Sequence, residues 1–510
     1  MSNVLVIDIG TQSMRGIIFD DKGNLLVKEQ LKYMPYMSKK HGYVEQSADM
    51  YWSYLCQITK ALREKHPELL DSVLAMSVDT FRDTAVLWDK DNNVLRDCIL
   101  WSDQRSAETA SRLPNGAIFR LVGMYNTVNS IRKKTKVRWV MEHEPHIWAK
   151  VDKVTHFSAY INYKLTGNMV DCYASQSGHL PFDNKRKRWF SKSNLLYPIF
   201  NVPLSKLIPL CSPGDVMGQI SQEVAEQTGL PVGLKVYASG SDTNCETLGV
   251  GGYHENMASV SFGTASSVQL CSKKFFEPEP FLPSYPSVIK GWYNPEVQIF
   301  RGYWMISWFK QNFAKHLEGK ALEQGKSVEE VMNDEIESIP AGCEGLVLQP
   351  FWQGGLTTPE ARGSIIGFSD FHTRAHVYRA IIEGIDFALR EGLERLARRG
   401  HKKIEYIAVA GGGSQSDTIC QIAADVFNLP VKRVQTYETS ALGAAIVTFA
   451  ACGVYADIPT AAEQMVRYTD EFTPNPDNVK VYDRIYKKVY LKIYKKLKKL
   501  YKSMSQVQPD

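Results

Sequence analysis

The chain has 510 residues, a formal net charge of only +5 at pH 7, and 44% hydrophobic against 23% charged residues. That length suits two domains better than one, and the apolar content is ample for two cores. So small a net charge excludes the polyelectrolyte surface that nucleic acid or an anionic membrane demands.

The N-terminal run Met1–Ile7 has no basic segment and breaks at Asp8, so it reads as neither a signal peptide nor a membrane span. Nine cysteines occur without a Cys-x-x-Cys pair, which argues against a disulfide framework or structural zinc and for reduced thiols. A cytoplasmic protein is the expectation.

In chain order, Val4–Ile7, the turn Gly10-Thr11-Gln12-Ser13 and Gly16–Phe19 predict a β-hairpin, and a further turn leads to Leu25-Leu26-Val27. The pattern returns half a chain later. Ala258–Phe262 is strand-like, Gly263-Thr264 turns, and Ser267–Leu270 resumes, which suggests two similar halves. The Gly249-Val250-Gly251-Gly252 joint marks the boundary.

Beyond it, apolar residues from Val377 to Leu396 recur at helical spacing up to about Gly400. A buried strand, Ile404–Ala410, follows, then Gly411-Gly412-Gly413, a helix from about Ser416 to Phe427 and another from Ser440 to Cys452. Alternating strands and helices make the class α/β. From Asp477 a helix carries tyrosines and leucines on one side and lysines on the other, read as a docked helix with a solvated lysine face.

Several segments carry residues suited to phosphoryl transfer, which needs backbone amides around phosphates, a carboxylate near the metal and a base on the acceptor hydroxyl. Asp8-Ile9-Gly10-Thr11-Gln12-Ser13-Met14-Arg15 sets an acid at a strand end before a glycine turn; it is either a phosphate loop or an ordinary polar hairpin. Phe262-Gly263-Thr264 is a second such turn. Three glycines at 411–413, between strand and helix, favour close approach of a ligand to the backbone. Asp242, in Gly240-Ser241-Asp242-Thr243, could serve as a general base, but in isolation it reads better as a helix N-cap.

Taken in order, DIGTQSMRGIIFD, LWSDQR, GSDTNCETLG, SFGTASS, ARGSIIGF, AGGGSQSD and ETSALGAA resemble the FGGY family of carbohydrate kinases over nearly the whole stretch from Asp8 to Tyr455. The resemblance implies two actin-like (ribonuclease H-like) ATPase domains with a cleft between them. The N-terminal domain would span residues 1–252, the C-terminal domain 253–455 and a helical extension 456–510. It also implies ATP-dependent phosphorylation of a hydroxyl on a small sugar, ketose or polyol, with Asp242 as catalytic base. Asp8 would hold Mg²⁺ through water. Thr11, Gln12, Ser13, Arg15, Gly263, Thr264, Gly411, Gly412 and Ser416 would bind the nucleotide.

Within the same resemblance Arg82, Asp83, Trp101, Asp103 and Thr243 would contact the acceptor. Arg82-Asp83-Thr84 is similar to the glycerol kinase pattern, since a guanidinium beside a carboxylate suits neighbouring hydroxyls. Two departures oppose glycerol itself: Ile131-Arg132-Lys133-Lys134 stands where the family has a tyrosine contact, and Thr243 stands where glycerol kinases have glutamine. A kinase of a signalling molecule such as the quorum-sensing dihydroxypentanedione, or of a sugar acid, is the alternative; an actin-like ATP-binding switch is the reading outside enzymes. The expected partner is a small molecule, without nucleic acid or membrane, and homodimer formation is left open.

Overall fold

The hairpin at the N-terminus grows into the first of two mixed sheets. The computed structural model describes residues 2–33, 42–107, 113–178, 180–355 and 358–507. Strands β1 (Asn3–Ile9), β2 (Ser13–Asp20) and β3 (Leu25–Lys32) run antiparallel to one another, and β1 also pairs in parallel with β4 (Val73–Thr80). Strands β5 (Val216–Gln219) and β6 (Lys235–Ser241) complete the order β5-β6-β4-β1-β2-β3, with β6 parallel to β4 and β5 antiparallel to β6. All of β1 is buried, as expected of a strand covered on both faces.

The second sheet repeats this plan. Strands β7 (Met257–Phe262), β8 (Ser266–Leu270) and β9 (Glu296–Ile299) are antiparallel, β7 pairs in parallel with β10 (Tyr406–Ala410), and β10 with β11 (Val431–Val434). An antiparallel β12 (Tyr468–Phe472) closes the edge, giving β9-β8-β7-β10-β11-β12. Both sheets therefore run antiparallel, antiparallel, parallel, parallel, antiparallel from one edge to the other. The repeat that two short Gly-Thr hairpins suggested extends to six strands in each half.

Two compact units contain these sheets. The first comprises residues 1–253, 273–294 and 439–466; the second comprises 254–272, 295–438 and 467–510. The family-like domains read along the sequence are contiguous, whereas each unit is assembled from three stretches.

Helix α1 (Ala48–Lys65) covers one face of the first sheet: Leu62 and Ile58 lie where any side chain at Gly16 would have to go, 3.0 and 2.5 Å from its Cβ position. Helices α2 (Tyr125–Lys134), α3 (Lys136–His143) and α4 (Phe157–Thr166) follow in chain order. Helix α5 (Asp242–Gly249) follows β6 directly.

The second unit is built on α6 (Arg374–Gly400), 27 residues long, with its middle turns buried from Tyr378 to Arg390. Helix α7 (Asp417–Phe427) follows the triple-glycine turn. Helix α8 (Thr439–Ala451) then returns to the first unit, almost wholly buried against β1, β4 and β6. Its small residues permit contact with α5 at backbone distance. A Cβ at Gly443 would sit 1.8 Å from the Cys245 carbonyl oxygen, and one at Gly249 1.9 Å from that of Thr439.

The lysine-rich tail belongs to the second unit as α9 (Pro476–Ile485), a π-helical turn (Tyr486–Tyr490) and α10 (Leu491–Val507). Tyr482, Tyr486 and Tyr490 are buried, Tyr482 donates to Glu383 on α6 at 2.8 Å, and Tyr501 donates to Gln349 at 3.0 Å. Among the described residues no helix is long and apolar enough to cross a membrane.

Candidate active site

In the first unit the ends of three neighbouring strands each deliver an acid. Asp8 near the end of β1 is the register partner of Asp79 near the end of β4, and Asp242 follows the last residue of β6. The parallel pairing β6-β4-β1 thus gathers at one sheet end carboxylates that are 234 residues apart (242 − 8) in the chain.

Asp242 is the first residue of α5, and Ser241 rather than Asp242 occupies the N-cap position. The N-cap alternative fails for a simple reason. One residue inside the helix, the carboxylate accepts from its neighbour Thr243, backbone N–H at 2.7 Å and hydroxyl at 3.0 Å, which fixes its rotamer. Asn244 anchors the turn, donating to the carbonyls of Ala174 and Pro286 at 2.9 Å each. Asp242 stays half-buried. Burial pushes its pKa up to about 6, against the counter-pull of Arg82 and the Thr243 hydrogen bonds, with Asp8 pushing the same way as burial.

Asp8 pairs with Arg15 at 2.9 Å across the hairpin. Gly10 N–H donates to Ser13 O at 3.1 Å, closing the turn, and buried Ser13 accepts from Gln30 at 3.2 Å. Thr11 is half-buried and accepts from the Trp101 indole at 2.9 Å, while Gln12 is exposed. Asp79 received no role from the sequence, yet it is fully buried and neither carboxylate oxygen has a hydrogen-bond donor among the described residues. Burial foremost, then Asp8 and Asp242, raise its pKa well above the usual carboxylate value, against the pull of Arg15. The signal available was an acid in the parallel, mostly apolar strand Val73–Thr80.

The expected acceptor residues divide. Arg82 lies over the Tyr285 ring at 4.7 Å and pulls on Asp242. Asp83, at φ 54°, forms an ion pair with Lys136 at 3.0 Å and fills the space a side chain at Gly178 would need. Asp103 is instead committed to the wall, holding Arg105 at 2.8 Å and accepting from Val44 N–H at 2.6 Å with no exposed side-chain surface. Thr243 spends its hydroxyl on Asp242.

In the second unit the two remaining glycine turns touch. Gly411 has φ +80°, and a Cβ there would meet Phe262 C at 2.8 Å and Gly263 N at 3.0 Å. A Cβ at Gly413 would strike the Tyr303 ring at 2.4 Å, and Tyr303 N–H donates to Gly263 O at 3.1 Å. Trp304 N–H donates to Thr264 O at 3.3 Å. Packing therefore accounts for the outer two glycines, and only Gly412, with nothing within 4 Å of its Cβ position, offers open backbone. Ser416 caps α7, accepting from Ile419 N–H at 3.3 Å.

Acids at the strand ends of one repeat and touching glycine turns in the other, on twin sheets of this order, are the design of an actin-like phosphotransferase. Residues 3–249 match the N-terminal domain, and residues 258–452 the C-terminal domain, of the FGGY family of carbohydrate kinases. The chain belongs to that family and is an ATP- and Mg²⁺-dependent sugar kinase. It is 29% identical over 492 residues to a xylulose kinase of Lactococcus lactis, covering 95% of each chain. To a gluconokinase of Bacillus licheniformis it is 25% identical over 494 residues, covering 95% of this chain and 94% of the other. The fold matches that of a ligand-bound xylulose kinase from Lactobacillus acidophilus with a TM-score of 0.83 at 21% identity, over 99% of this chain and all (100%) of that one.

Proposed function

We propose that the protein transfers the ATP γ-phosphoryl group to a hydroxyl of a small sugar, ketose or polyol, with Asp242 as general base. The observation that carries this reading is a carboxylate held in one rotamer by Thr243, half-buried, with a pKa raised to about 6. Such a group is ionised at neutral pH yet basic enough to accept a hydroxyl proton as the oxygen attacks. The names of the relatives, xylulose kinase and gluconokinase, support a sugar-sized acceptor.

The other residues divide the remaining work. Arg82 and Asp83 donate to and accept from the acceptor's hydroxyls, orienting the attacking oxygen toward Asp242. Trp101 gives the sugar an apolar face, and its hydrogen bond to Thr11 ties that face to the first phosphate turn. Thr11, Gln12, Ser13 and Arg15 receive phosphate oxygens. Gly263, Thr264, Gly411, Gly412 and Ser416 form the nucleoside side, where open backbone at Gly412 lets a flat ligand approach.

For the metal, Asp8 stands at the strand end beside the buried, donor-less Asp79, and a cation bound there would favour the ionised form of both acids. Among the described residues no group of three or more His, Cys, Asp or Glu could enclose a metal. Mg²⁺ keeps several waters and shares phosphate oxygens, so Asp8 would contact it through water. When bound, Mg²⁺ supplies charge neutralisation of the phosphates.

The decisive experiment measures ADP release by the purified protein against a panel of polyols, ketoses and sugar acids. Acceptor-stimulated ADP release is expected; ATP hydrolysis indifferent to every acceptor would refute the proposal.

A further inference from the structure

All nine cysteines of the chain are free thiols, and two of them meet across a strand pair. The two-residue strands Asp171–Cys172 and Leu210–Cys211 run parallel, with Cys211 the register partner of Cys172. Register partners on neighbouring strands project to the same face, with Cα atoms ~4.8 Å apart, inside the ~4.4–6.8 Å span that a disulfide bridges. The two sulfurs accordingly interact, the Cys211 thiol being a hydrogen-bond neighbour of Cys172. Cys172 is buried, whereas Cys211 is partly exposed.

The buried member of the pair is tied to the strand that delivers Asp242. Its Sγ–H donates to the Ser239 carbonyl at 3.3 Å, and its sulfur accepts from Ala174 N–H at 3.4 Å. Ser239 lies in β6, where the pairing with β4 slips register between Ala238 and Ser241, immediately before Asp242. The thiol thus holds a carbonyl at an irregular point of the sheet. The Ala174 carbonyl, in turn, accepts from Asn244 of α5 at 2.9 Å. Burial, then Cys211, raise the Cys172 pKa well above the usual thiol value, which keeps the proton that this bond needs. A small cavity bounded by Val78, Cys172, Met217, Val236 and Ser239 gives the side chain room to turn.

We propose that Cys172 and Cys211 form an oxidation site for hydrogen peroxide, which joins them in a reversible disulfide and thereby loosens the strand carrying Asp242. The partly exposed Cys211 reacts first. Its thiolate attacks the peroxide, the O–O bond breaks, and sulfur is oxidised to a sulfenic acid as one oxygen leaves as water. The Cys172 sulfur then displaces the sulfenic hydroxyl: an S–S bond forms, the S–O bond breaks, and the hydroxyl departs as a second water with the Cys172 proton. Two thiols have lost two electrons and two protons, and one peroxide has become two waters. With that proton gone, the Ser239 carbonyl loses its donor at the register slip.

The test treats the full chain with hydrogen peroxide, alkylates the remaining thiols and maps the tryptic peptides by mass spectrometry. A linked pair of peptides containing Cys172 and Cys211, separated again by dithiothreitol, is expected. Oxidation should speed amide hydrogen exchange over residues 235–249, and kcat for ADP release should fall ~3- to 10-fold, the scale of one lost hydrogen bond, and recover on reduction. C211S and C211A should keep the turnover of the reduced protein and resist peroxide, with thermal melting confirming that each is folded. Absence of the linked peptides, unchanged exchange over 235–249 in the linked protein, or equal peroxide sensitivity in a folded C211 variant overturns the proposal. The linkage and exchange measurements need no acceptor, so they decide the matter even where the kinase reading fails.

Discussion

At the scale of single residues, the chemistry turns on how one carboxylate is held. Replacing Asp242 by Asn keeps the acceptor geometry for Thr243 O–H but removes the base. We expect ATP affinity to stay nearly intact while turnover falls by at least ~100-fold, measured by binding titration and steady-state ADP release. Because a base must be ionised to act, and burial raises the Asp242 pKa to about 6, kcat/KM should rise with pH through about 6 and then level off. A profile flat from pH 5 to 8 would contradict this. The motif around Asp242 was legible in the sequence once its neighbours were read together, although the residue alone looked like a cap. Asp79 was not legible as a partner. Its importance comes from strand pairing with Asp8, 71 positions away (79 − 8), and no local pattern encodes a register between distant strands.

At the scale of elements, the hairpins and long helices could be read from periodicity, but which helix covers which sheet could not. Helix α8 looked like one more helix of the second half. The small residues that mark it, Ala441, Gly443, Ala444 and Ala445, serve contact with α5 and the first sheet. Gly443→Ala would push a methyl into the Cys245 carbonyl, so a loss of roughly 1–3 kcal/mol is expected from overpacking, seen as a lower melting temperature. Since α5 begins at Asp242, turnover should fall along with stability.

Helix α6 yields a second element-level prediction. Asp386 is fully buried with no hydrogen-bond partner for either oxygen among the described residues, and burial, then Glu383, raise its pKa well above the usual value. The folded state thus holds a proton that the unfolded chain releases above a pH of about 4. This contribution to stability is complete below that pH and is lost as pH rises toward the folded pKa. Asp386→Asn, a neutral isostere, should therefore melt higher than the unmodified protein at pH 8 and show a flatter dependence of melting temperature on pH. An equal or lower melting temperature at pH 8 would show that the carboxyl finds compensation.

At the scale of the whole molecule, the twin sheets explain why a single pattern of turns appears twice, while the threading of the chain between units leaves no trace in local sequence. Residues 273–294 and 439–466 complete the first unit after an excursion through the second. A fragment spanning residues 1–253 would lack α8 and expose the face of β1, β4 and β6 that α8 covers. We expect that fragment to be aggregated or molten, with weak near-ultraviolet circular dichroism, and addition of a peptide covering 439–466 to restore structure only in part. A cooperative melt of the fragment alone would contradict this.

The same threading sets a timetable for biosynthesis. The first unit cannot close its core until residue 466 has left the ribosome, long after its strand β1 has been made. Domain-by-domain maturation during translation is thereby denied to this protein, and the nascent first half must wait, with apolar surface uncovered, for a helix made hundreds of residues later. A holding chaperone present during synthesis is therefore expected to raise the yield of folded chain.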